Sequence, residues 1–276
     1  MGWEDIKVEG DHLSASQIAM FQRCPKQWEF RYVKKMKMPP TGPMVMGSAV
    51  HSGIEHNYKH KYITKKPANK NEVMDQYDYA WERMKHGADF EAKDPGKLKD
   101  TGYAMANLHY DSVAPTVEPV EVPEIEVKVQ IPGVKRMFVG YFDLIGKLTS
   151  KLKRVIIDNK TTMRKFEEFA VDLSGQLTSY DILHKLKFGK RPDGALNDVL
   201  VGTKGGVQHQ RIITERTQDE LDRFTNTVQL VEKAIDAGIF YPTDDPKTCS
   251  WCGYAKICVT RAFEKREKMK LEKSYE

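Results

Sequence analysis

The chain has 276 residues, of which 40% are hydrophobic and 30% charged, a composition that excludes a disordered or fibrous protein. It contains no run of 18 apolar residues, which excludes a membrane-spanning helix. The start of the chain carries Glu4, Asp5 and Glu9, which excludes the basic beginning of a signal peptide. We therefore expect a cytoplasmic location. The net charge of +5 is compatible with a polyanionic partner but does not establish one.

The segment from about residue 13 to residue 115 has the apolar periodicity of helices. Ser14 and Gln17 have the spacing of a capping box, which predicts a helix start ahead of the first apolar run. Apolar residues four positions apart predict another helix over residues 47–58. The polar stretch over residues 89–100 contains a proline followed by a glycine and predicts a connecting loop. We therefore expect a helical N-terminal part.

The following segment has the alternation of a β-strand. Apolar residues at every second position over residues 125–131 predict a half-buried strand, and Pro132–Gly133 then turns the chain. Glu124 and Glu126 are possible metal ligands by their chemistry. The alternation, however, places both glutamates on the solvated face of the strand.

The remaining elements form a catalytic core over about residues 119–240. Strands are predicted over 137–148 and 154–160, a helix over 174–186, a hairpin over 198–213, and an amphipathic helix over 217–238. This order predicts a single mixed α/β domain with a helical N-terminal cover.

Three ionisable residues stand in or beside apolar strands. Asp143 interrupts one apolar segment, and Asp158 and Lys160 end the apolar run that starts at Val155. Residues two apart in a strand point to the same face, so Asp158 and Lys160 lie side by side. Pairing of the two strands brings Asp143 near Asp158. Converging carboxylates repel unless a cation neutralises them, so the pattern predicts a Mg²⁺ or Mn²⁺ site beside a lysine.

The four cysteines form a second pattern. Cys24 stands alone near the N-terminus, whereas Cys249, Cys252 and Cys258 lie in a C-terminal segment over about residues 246–262. Four cysteines in an intracellular chain of this length argue against a disulfide framework. Four thiolates hold either a four-iron, four-sulfur cluster or a zinc ion, and the spacing does not choose between them. In either case Cys24 closes the C-terminal segment onto the N-terminal part.

Five short motifs occur in an order typical of one known family. They are the segments Leu13–Phe30, Gly47–His51, Gly140–Asp143, Asp158–Lys160 and Gln176–Tyr180. Together they resemble the PD-(D/E)XK nuclease superfamily and, within it, the RecB-type and CRISPR-adaptation nucleases. The resemblance spans about residues 13–258. It implies a restriction-endonuclease-like fold, in which a mixed central sheet is flanked by helices.

The resemblance also implies metal ligands. His51 reaches the metal from a helix, and Asp143 and Asp158 supply carboxylates to Mg²⁺ or Mn²⁺. The main-chain carbonyl of Asn159 is a further expected ligand. Imidazole and carboxylate groups are common ligands of catalytic metal ions.

Three further catalytic roles follow from the same resemblance. Lys160 is expected to orient the attacking water and to stabilise the charge that develops on the phosphate. Gln176 and Tyr180 are four residues apart and share a helix face. This face is expected to support the active site and to contact DNA.

The pattern of one N-terminal and three C-terminal cysteines resembles that of the iron–sulfur nucleases. It implies a structural 4Fe–4S cluster bound by Cys24, Cys249, Cys252 and Cys258. Zinc remains the alternative that the spacing leaves open. Binding of either group contributes folding free energy, because the site joins distant parts of the chain.

The function expected from these motifs is metal-dependent exonuclease action on single-stranded DNA ends, in recombination, repair or replication. The basic and aromatic stretch over residues 59–66 suits such a strand. The alternatives are a catalytically silent DNA-binding or scaffold subunit with a nuclease fold, and a nuclease acting on RNA. The chain has no G-x-x-x-x-G-K-[ST] motif, so a separate helicase, recombinase or CRISPR-adaptation protein is a conceivable partner. A bacterial, archaeal or phage origin fits these expectations.

Overall fold

The structure is a computed structural model that describes residues 12–90, 93–149 and 151–258. Described residues 12–38 and 228–258 belong to one compact unit, and the described residues between 39 and 227 belong to another. The α-helices are α1 (Ala15–Arg23), α2 (Pro25–Trp28), α3 (Gly42–Thr64), α4 (Lys70–Lys85), α5 (Pro95–Leu108), α6 (Glu168–Asp172), α7 (Gly175–Phe188), α8 (Gln218–Asp236) and α9 (Pro246–Ser250). The β-strands are β1 (His12–Leu13), β2 (Glu118–Pro119), β3 (Ile125–Val129), β4 (Met137–Phe142), β5 (Leu144–Lys147), β6 (Val155–Thr162), β7 (Gly194–Thr203) and β8 (Gly206–Thr214).

The unit of residues 39–227 is built on a five-stranded mixed sheet with the order β2-β5-β6-β7-β8. Strands β6 and β7 run parallel, and the other neighbours run antiparallel. Strands β3 and β4 form a separate antiparallel pair. Val155, Ile156 and Ile157 of β6 are fully buried, as expected for a strand covered on both faces. The predicted mixed α/β fold with a central sheet and flanking helices is confirmed.

The N-terminal helices of this unit form one hydrophobic core with the sheet. Tyr77 and Trp81 of α4 pack in the same cluster of buried residues as Val50 of α3, together with Leu144 and Ile157 from the strands. The structure therefore confirms a helical cover.

Two sequence predictions of element boundaries are wrong. The stretch over residues 89–100 is not a loop throughout, because α5 begins at Pro95. Asp94 caps this helix by accepting hydrogen bonds from the N–H groups of Gly96 and Lys97. Proline at the first helical position has no N–H to leave unsatisfied, so the proline favours the helix start. The helix predicted over residues 47–58 is longer and begins at Gly42.

The apolar segment over residues 137–148 is not one strand but two. It divides at Asp143, where β4 ends and β5 begins, and the two halves pair with different partners. Strand β4 pairs with β3, whereas β5 pairs with β6. The break places Asp143 where the two sheets meet.

Gly140 allows helix α7 to approach strand β4 closely. A Cβ atom at this position would lie 2.7 Å from the Leu183 Cδ1 atom and 3.3 Å from the Tyr180 ring. Both neighbours are side chains of α7, so a side chain at residue 140 would force Leu183 and the Tyr180 ring to shift. The glycine of the Gly140–Asp143 motif therefore has a packing role.

A buried ion pair ties strand β8 to β7. The Asp198 carboxylate is fully buried and accepts two hydrogen bonds from the Arg211 guanidinium, at 2.7 and 2.8 Å. His209 lies 2.8 Å from the same carboxylate. Burial opposes ionisation of Asp198, but the hydrogen bonds from His209 and Arg211 hold its pKa below the ordinary value.

Replacing Asp198 by alanine should lower the free energy of unfolding by about 3–5 kcal/mol, because the half-buried Arg211 loses its carboxylate partner. Urea denaturation followed by circular dichroism measures this loss. Asp111→Ala is the matched control, since Asp111 pairs with Lys70 at the exposed surface. That variant should lose less than about 1 kcal/mol. Equal losses in the two variants would contradict the assigned strength of the buried pair.

Candidate functional site

The residues of the predicted site come from three elements of the unit of residues 39–227 and from the junction between two strands. They are His51 on α3, Asp143 between β4 and β5, Asp158, Asn159 and Lys160 on β6, and Gln176 and Tyr180 on α7. The close pairing of β5 with β6 carries Asp143 to the start of the polar part of β6, because Leu144 pairs with Ile157. The predicted approach of the two aspartates thus follows from strand register.

Helix α3 lies close enough to β6 for His51 to reach the carboxylates. Gly47 makes this possible, because a Cβ atom there would lie 2.8 Å from the Thr161 hydroxyl oxygen. One helical turn later the His51 Nδ1 atom lies 3.6 Å from the Asp143 Oδ2 atom. The Gly47–His51 motif thus combines a close backbone approach with an imidazole that points to the site.

Glu124 joins His51 and Asp143. One possible ligand atom from each of the three residues lies within 4.8 Å of the other two. The expectation of a solvated face is wrong for Glu124, because the residue precedes β3 and has a left-handed backbone with φ of 59°. Its N–H donates a hydrogen bond to the Asp143 carbonyl oxygen at 3.1 Å. Glu126 is exposed, as the alternation predicts.

The register of the β3–β4 pair is the information that would have placed Glu124 in the site. Ile125 pairs with Phe142 in this antiparallel pair. Glu124, which precedes Ile125, therefore lies opposite Asp143, which follows Phe142. A tight hairpin centred just after Gly133 therefore places Glu124 beside Asp143.

The pKa of Glu124 is raised to about 8 by its position in the site. Burial is the main cause and the neighbouring Asp143 carboxylate is the second. Burial also raises the pKa of Asp158, with a smaller contribution from Asp143, and the Lys160 ammonium opposes this effect. A bound cation would relieve the repulsion at these groups.

Asp158 is held by donors from three directions. Its Oδ2 atom lies 2.7 Å from the Lys160 ammonium and accepts a 2.6 Å hydrogen bond from the Asn197 amide. Its Oδ1 atom accepts from the Gln176 amide at 3.0 Å. The Gln176 carbonyl oxygen accepts from Lys160 at 3.1 Å, and its amide donates to the Tyr180 hydroxyl at 2.8 Å. Asp158, Lys160, Gln176 and Tyr180 thus form one network.

The structure connects this network to the group of three through Asn159. The Asn159 main-chain N–H donates to the Asp143 Oδ2 atom at 2.8 Å. The Asn159 side-chain oxygen is buried and has no hydrogen-bond partner among the described residues. Asp158 is not part of the group formed by His51, Glu124 and Asp143. The predicted ligands therefore separate into two adjacent sets.

Sequence analysis did not identify Asn197 as a residue of the site. It lies directly across from Asp158 in the parallel β6–β7 pair and is 3% exposed. The available signal was the polar pair Asn197–Asp198 within the mainly apolar strand β7. A buried amide that donates to a carboxylate fixes the orientation of that carboxylate.

A cavity of about 790 Å³ opens at these residues. His51, Glu124, Asn159 and Lys160 contribute to its lining, and helix α4 contributes another part of the wall. A cavity with converging carboxylates, an imidazole and a lysine suits an anionic substrate bound together with a cation.

The four cysteines line one small cavity of the unit formed by described residues 12–38 and 228–258. The Thr243 hydroxyl donates to the Arg23 carbonyl oxygen at 2.7 Å, which brings the C-terminal segment to Cys24. Partial burial raises the pKa of the Cys258 thiol, and the other three cysteines raise it further. No three of these four described cysteines bring their sulfur atoms within 4.8 Å of one another.

A match to a family model identifies the superfamily of the chain. The model of the PD-(D/E)XK nuclease superfamily matches residues 12–259. The chain belongs to this superfamily. PD-(D/E)XK nucleases use divalent metals, and the group formed by His51, Glu124 and Asp143 is consistent with that chemistry.

Two known proteins resemble this PD-(D/E)XK nuclease along most of its length. The Gene 69 protein of Mycobacterium phage D29 is 21% identical over 266 residues, which cover 89% of this chain and 95% of the phage protein. The crystal structure of a candidate exonuclease from Eubacterium rectale has a TM-score of 0.53 and 10% identity. That match covers 89% of this chain and 87% of the other, and at this identity it shows the fold alone. Among the residues that the structure describes, no helix is long and apolar enough to cross a membrane.

In the metal-free nuclease, Glu124→Gln should raise the melting temperature at pH 8.5 and change it little at pH 4.5. The folded state holds the Glu124 proton up to about pH 8, whereas the unfolded state releases it near the ordinary value of 4.5. The wild-type protein therefore loses stability as the pH rises through this window, and glutamine removes that loss.

Thermal melts in the presence of a chelator, at several pH values, test this expectation. Glu126→Gln is the matched control, because Glu126 is exposed and only two residues away. If the melting curves of the two variants coincide at every pH, Glu124 does not have the raised pKa on which this prediction depends.

Proposed function

We propose that this PD-(D/E)XK nuclease is a divalent-metal-dependent deoxyribonuclease that removes nucleotides from single-stranded DNA ends. The observation that carries the proposal is the convergence of His51, Glu124 and Asp143 beside the Asp158–Lys160 pair, at the wall of an open cavity. Hydrolysis of a phosphodiester needs a cation and a fixed positive charge near the phosphate.

The residues present fit Mg²⁺ or Mn²⁺. One possible ligand atom from each of two carboxylates and one imidazole lies within 4.8 Å of the other two, and burial together with the neighbouring Asp143 carboxylate raises the pKa of Glu124, which a bound cation would counteract. We propose His51, Glu124 and Asp143 as ligands, with Asp158 and the Asn159 carbonyl completing the set. When bound, such an ion polarises a phosphoryl oxygen and lowers the pKa of a water molecule.

The residues of the β6–α7 network would position the substrate. Lys160 holds its ammonium group at the cavity wall, where it neutralises charge that develops on a phosphate. Gln176 keeps that ammonium and the Asp158 carboxylate in a fixed relation, since it accepts from one and donates to the other. Tyr180 in turn accepts from Gln176, and Asn197 restrains Asp158 from the opposite side.

Preference for a single-stranded end rests on the resemblance to end-acting relatives. The basic and aromatic stretch over residues 59–66 supports it less than the sequence suggests. Lys59 forms an ion pair with Glu55, and Lys61 donates to the carbonyl oxygens of Ala114 and Val117. These lysines have structural partners, so the strand is expected to bind mainly elsewhere. A role in recombination, repair or replication, and a helicase, recombinase or CRISPR-adaptation partner, remain predictions.

We further propose that Cys24, Cys249, Cys252 and Cys258 bind a 4Fe–4S cluster. Their common cavity supports a shared group. A zinc ion with Zn–S bonds of about 2.3 Å in a tetrahedron holds its sulfur atoms roughly 3.8 Å apart. No three of the four described cysteines bring their sulfur atoms within 4.8 Å of one another, so the support for the cluster is the shared cavity together with the resemblance to the iron–sulfur nucleases.

Asp158→Asn and Lys160→Ala should each abolish cleavage of end-labelled single-stranded DNA in Mn²⁺, at least a hundredfold below the wild-type rate. The first change weakens metal binding, and the second removes the charge next to the phosphate. Gel analysis of anaerobically purified protein measures the rates, and Glu126→Gln is the control for a carboxylate outside the site. Undiminished cleavage by both variants would contradict the active site.

The same assay separates the alternatives. Linear single strands should be degraded, whereas closed circular single strands and RNA of the same sequence should persist. Equal rates on circles would indicate an endonuclease, and preferential loss of RNA would indicate a ribonuclease. A wild-type protein that binds DNA but does not cut it with any divalent metal would indicate a silent DNA-binding subunit.

The anaerobically purified protein should be brown and contain about four irons per chain. Cys24→Ala should lose the colour and melt at a lower temperature, because one ligand is missing and the N-terminal helices lose their link to the C-terminal segment. Asp158→Asn is the control that keeps the colour, since this residue lies outside the cysteine cavity. A colourless wild-type protein with one zinc and no iron would reject the cluster.

A further inference from the structure

The cavity at the metal-site residues has a second wall, formed by helix α4. Gln76, Tyr79 and Arg83 contribute to this wall. Their spacing of three and four residues places them on one face of the helix. None of these three side chains has a role in the proposed cleavage. Their function at the cavity wall is therefore a separate question.

Tyr79 is 61% exposed at this wall, although Tyr77, two residues earlier, is completely buried. Tyr77 packs against the Tyr103 ring and donates its hydroxyl proton to the Lys99 carbonyl oxygen. Tyr79 makes no ring contact or hydrogen bond within the described residues. Its ring is therefore not used by the fold, and a free aromatic face is what a nucleobase stacks on.

Arg83, one turn further along α4, is also free. The two lysines of the same helix have carboxylate partners, because Lys70 pairs with Asp111 and Lys85 pairs with Glu82. Arg83 is exposed and has no ion pair or hydrogen bond among the described residues. A guanidinium group binds a phosphate through two parallel hydrogen bonds, which suits it to a DNA backbone.

Two methionines add apolar surface to the cavity. Met44 of α3 lines the same cavity and is 58% exposed, and Met84 of α4 lines it next to Arg83. Methionine side chains adapt to flat rings and contact them favourably. The cavity thus offers an aromatic ring, apolar side walls and an unpaired cation beside the metal-site residues.

We propose that this face of α4 is a subsite for the DNA strand next to the scissile phosphate, a role that rests on the proposed function. Tyr79 stacks on one base, and Arg83 binds a backbone phosphate of the same or the adjacent nucleotide. The two residues are four positions apart, which is about 6 Å along the helix axis. The subsite reads no base identity, because a stacked ring accepts every base.

Binding of a fluorescein-labelled single-stranded 20-mer tests the subsite in the presence of a chelator, where no cleavage occurs. Fluorescence anisotropy should show about tenfold weaker binding by Tyr79→Ala and nearly unchanged binding by Tyr79→Phe, which keeps the ring. Arg83→Ala should weaken binding and reduce the slope of log K against log salt by about 1. Lys85→Ala is the matched control on the same helix and should bind as the wild type does.

Abasic oligonucleotides locate the stacked base. Removing one base at a time from the labelled strand should weaken wild-type binding most at one position near the end. Tyr79→Ala should show no additional loss at that position, because the stacking partner is already missing. Independent, additive losses at every position, or wild-type affinity in both Tyr79→Ala and Arg83→Ala, would overturn the subsite. Thermal melts confirm that the variants are folded.

Cleavage rates of the same preparations in Mn²⁺ keep the two proposals apart. A wild-type protein that shows the Tyr79-dependent binding but cuts no DNA retains the subsite and loses the proposed function. If the wild-type protein cuts DNA but Tyr79→Ala and Arg83→Ala leave Kd and KM unchanged, the proposed function is supported and the subsite is rejected.

Discussion

The hydrogen bond from the Asn159 main-chain N–H to the Asp143 carboxylate is the contact on which the site geometry depends. It joins the point where β4 ends and β5 begins to the polar end of β6. A backbone donor has little freedom within a paired strand, so the carboxylate it holds is nearly as fixed as the sheet. The distance from Asp143 to His51, and the position of Glu124 beside it, follow from that restraint.

The site contains two kinds of carboxylate. Asp158 is 1% exposed, and an ammonium and two amide groups satisfy its oxygen atoms. Glu124 and Asp143 face each other with fewer donors, and burial of Glu124 raises its pKa. The protein thus stabilises one carboxylate by its own groups and leaves the electrostatic cost of the other pair for a cation to offset.

Sequence analysis predicted the mixed α/β fold and the motif residues, because apolar periodicity and strand-end polar residues are local signals. It named Glu124 as a possible ligand but assigned it to the solvated face, since alternation alone does not give the register of the β3–β4 pair. It missed Asn197 because parallel pairing of β6 with β7 is a long-range contact. The break at Asp143 was also invisible, since the apolar pattern continues through both strands. Tertiary pairing, rather than propensity, decided these three features.

The two units of the chain are completed at different times during synthesis. The described residues between 39 and 227 belong to one unit, whereas the other unit is formed by two separate segments, residues 12–38 and 228–258. Cys24 leaves the ribosome 249 − 24 = 225 residues before Cys249, the first of its C-terminal partners. At about 5–20 residues per second, that interval lasts roughly 10 to 50 seconds. Residues 39–227 are thus fully synthesised while the set of four cysteines still has a single thiol, so a group bound by all four cysteines can enter only after that segment is complete.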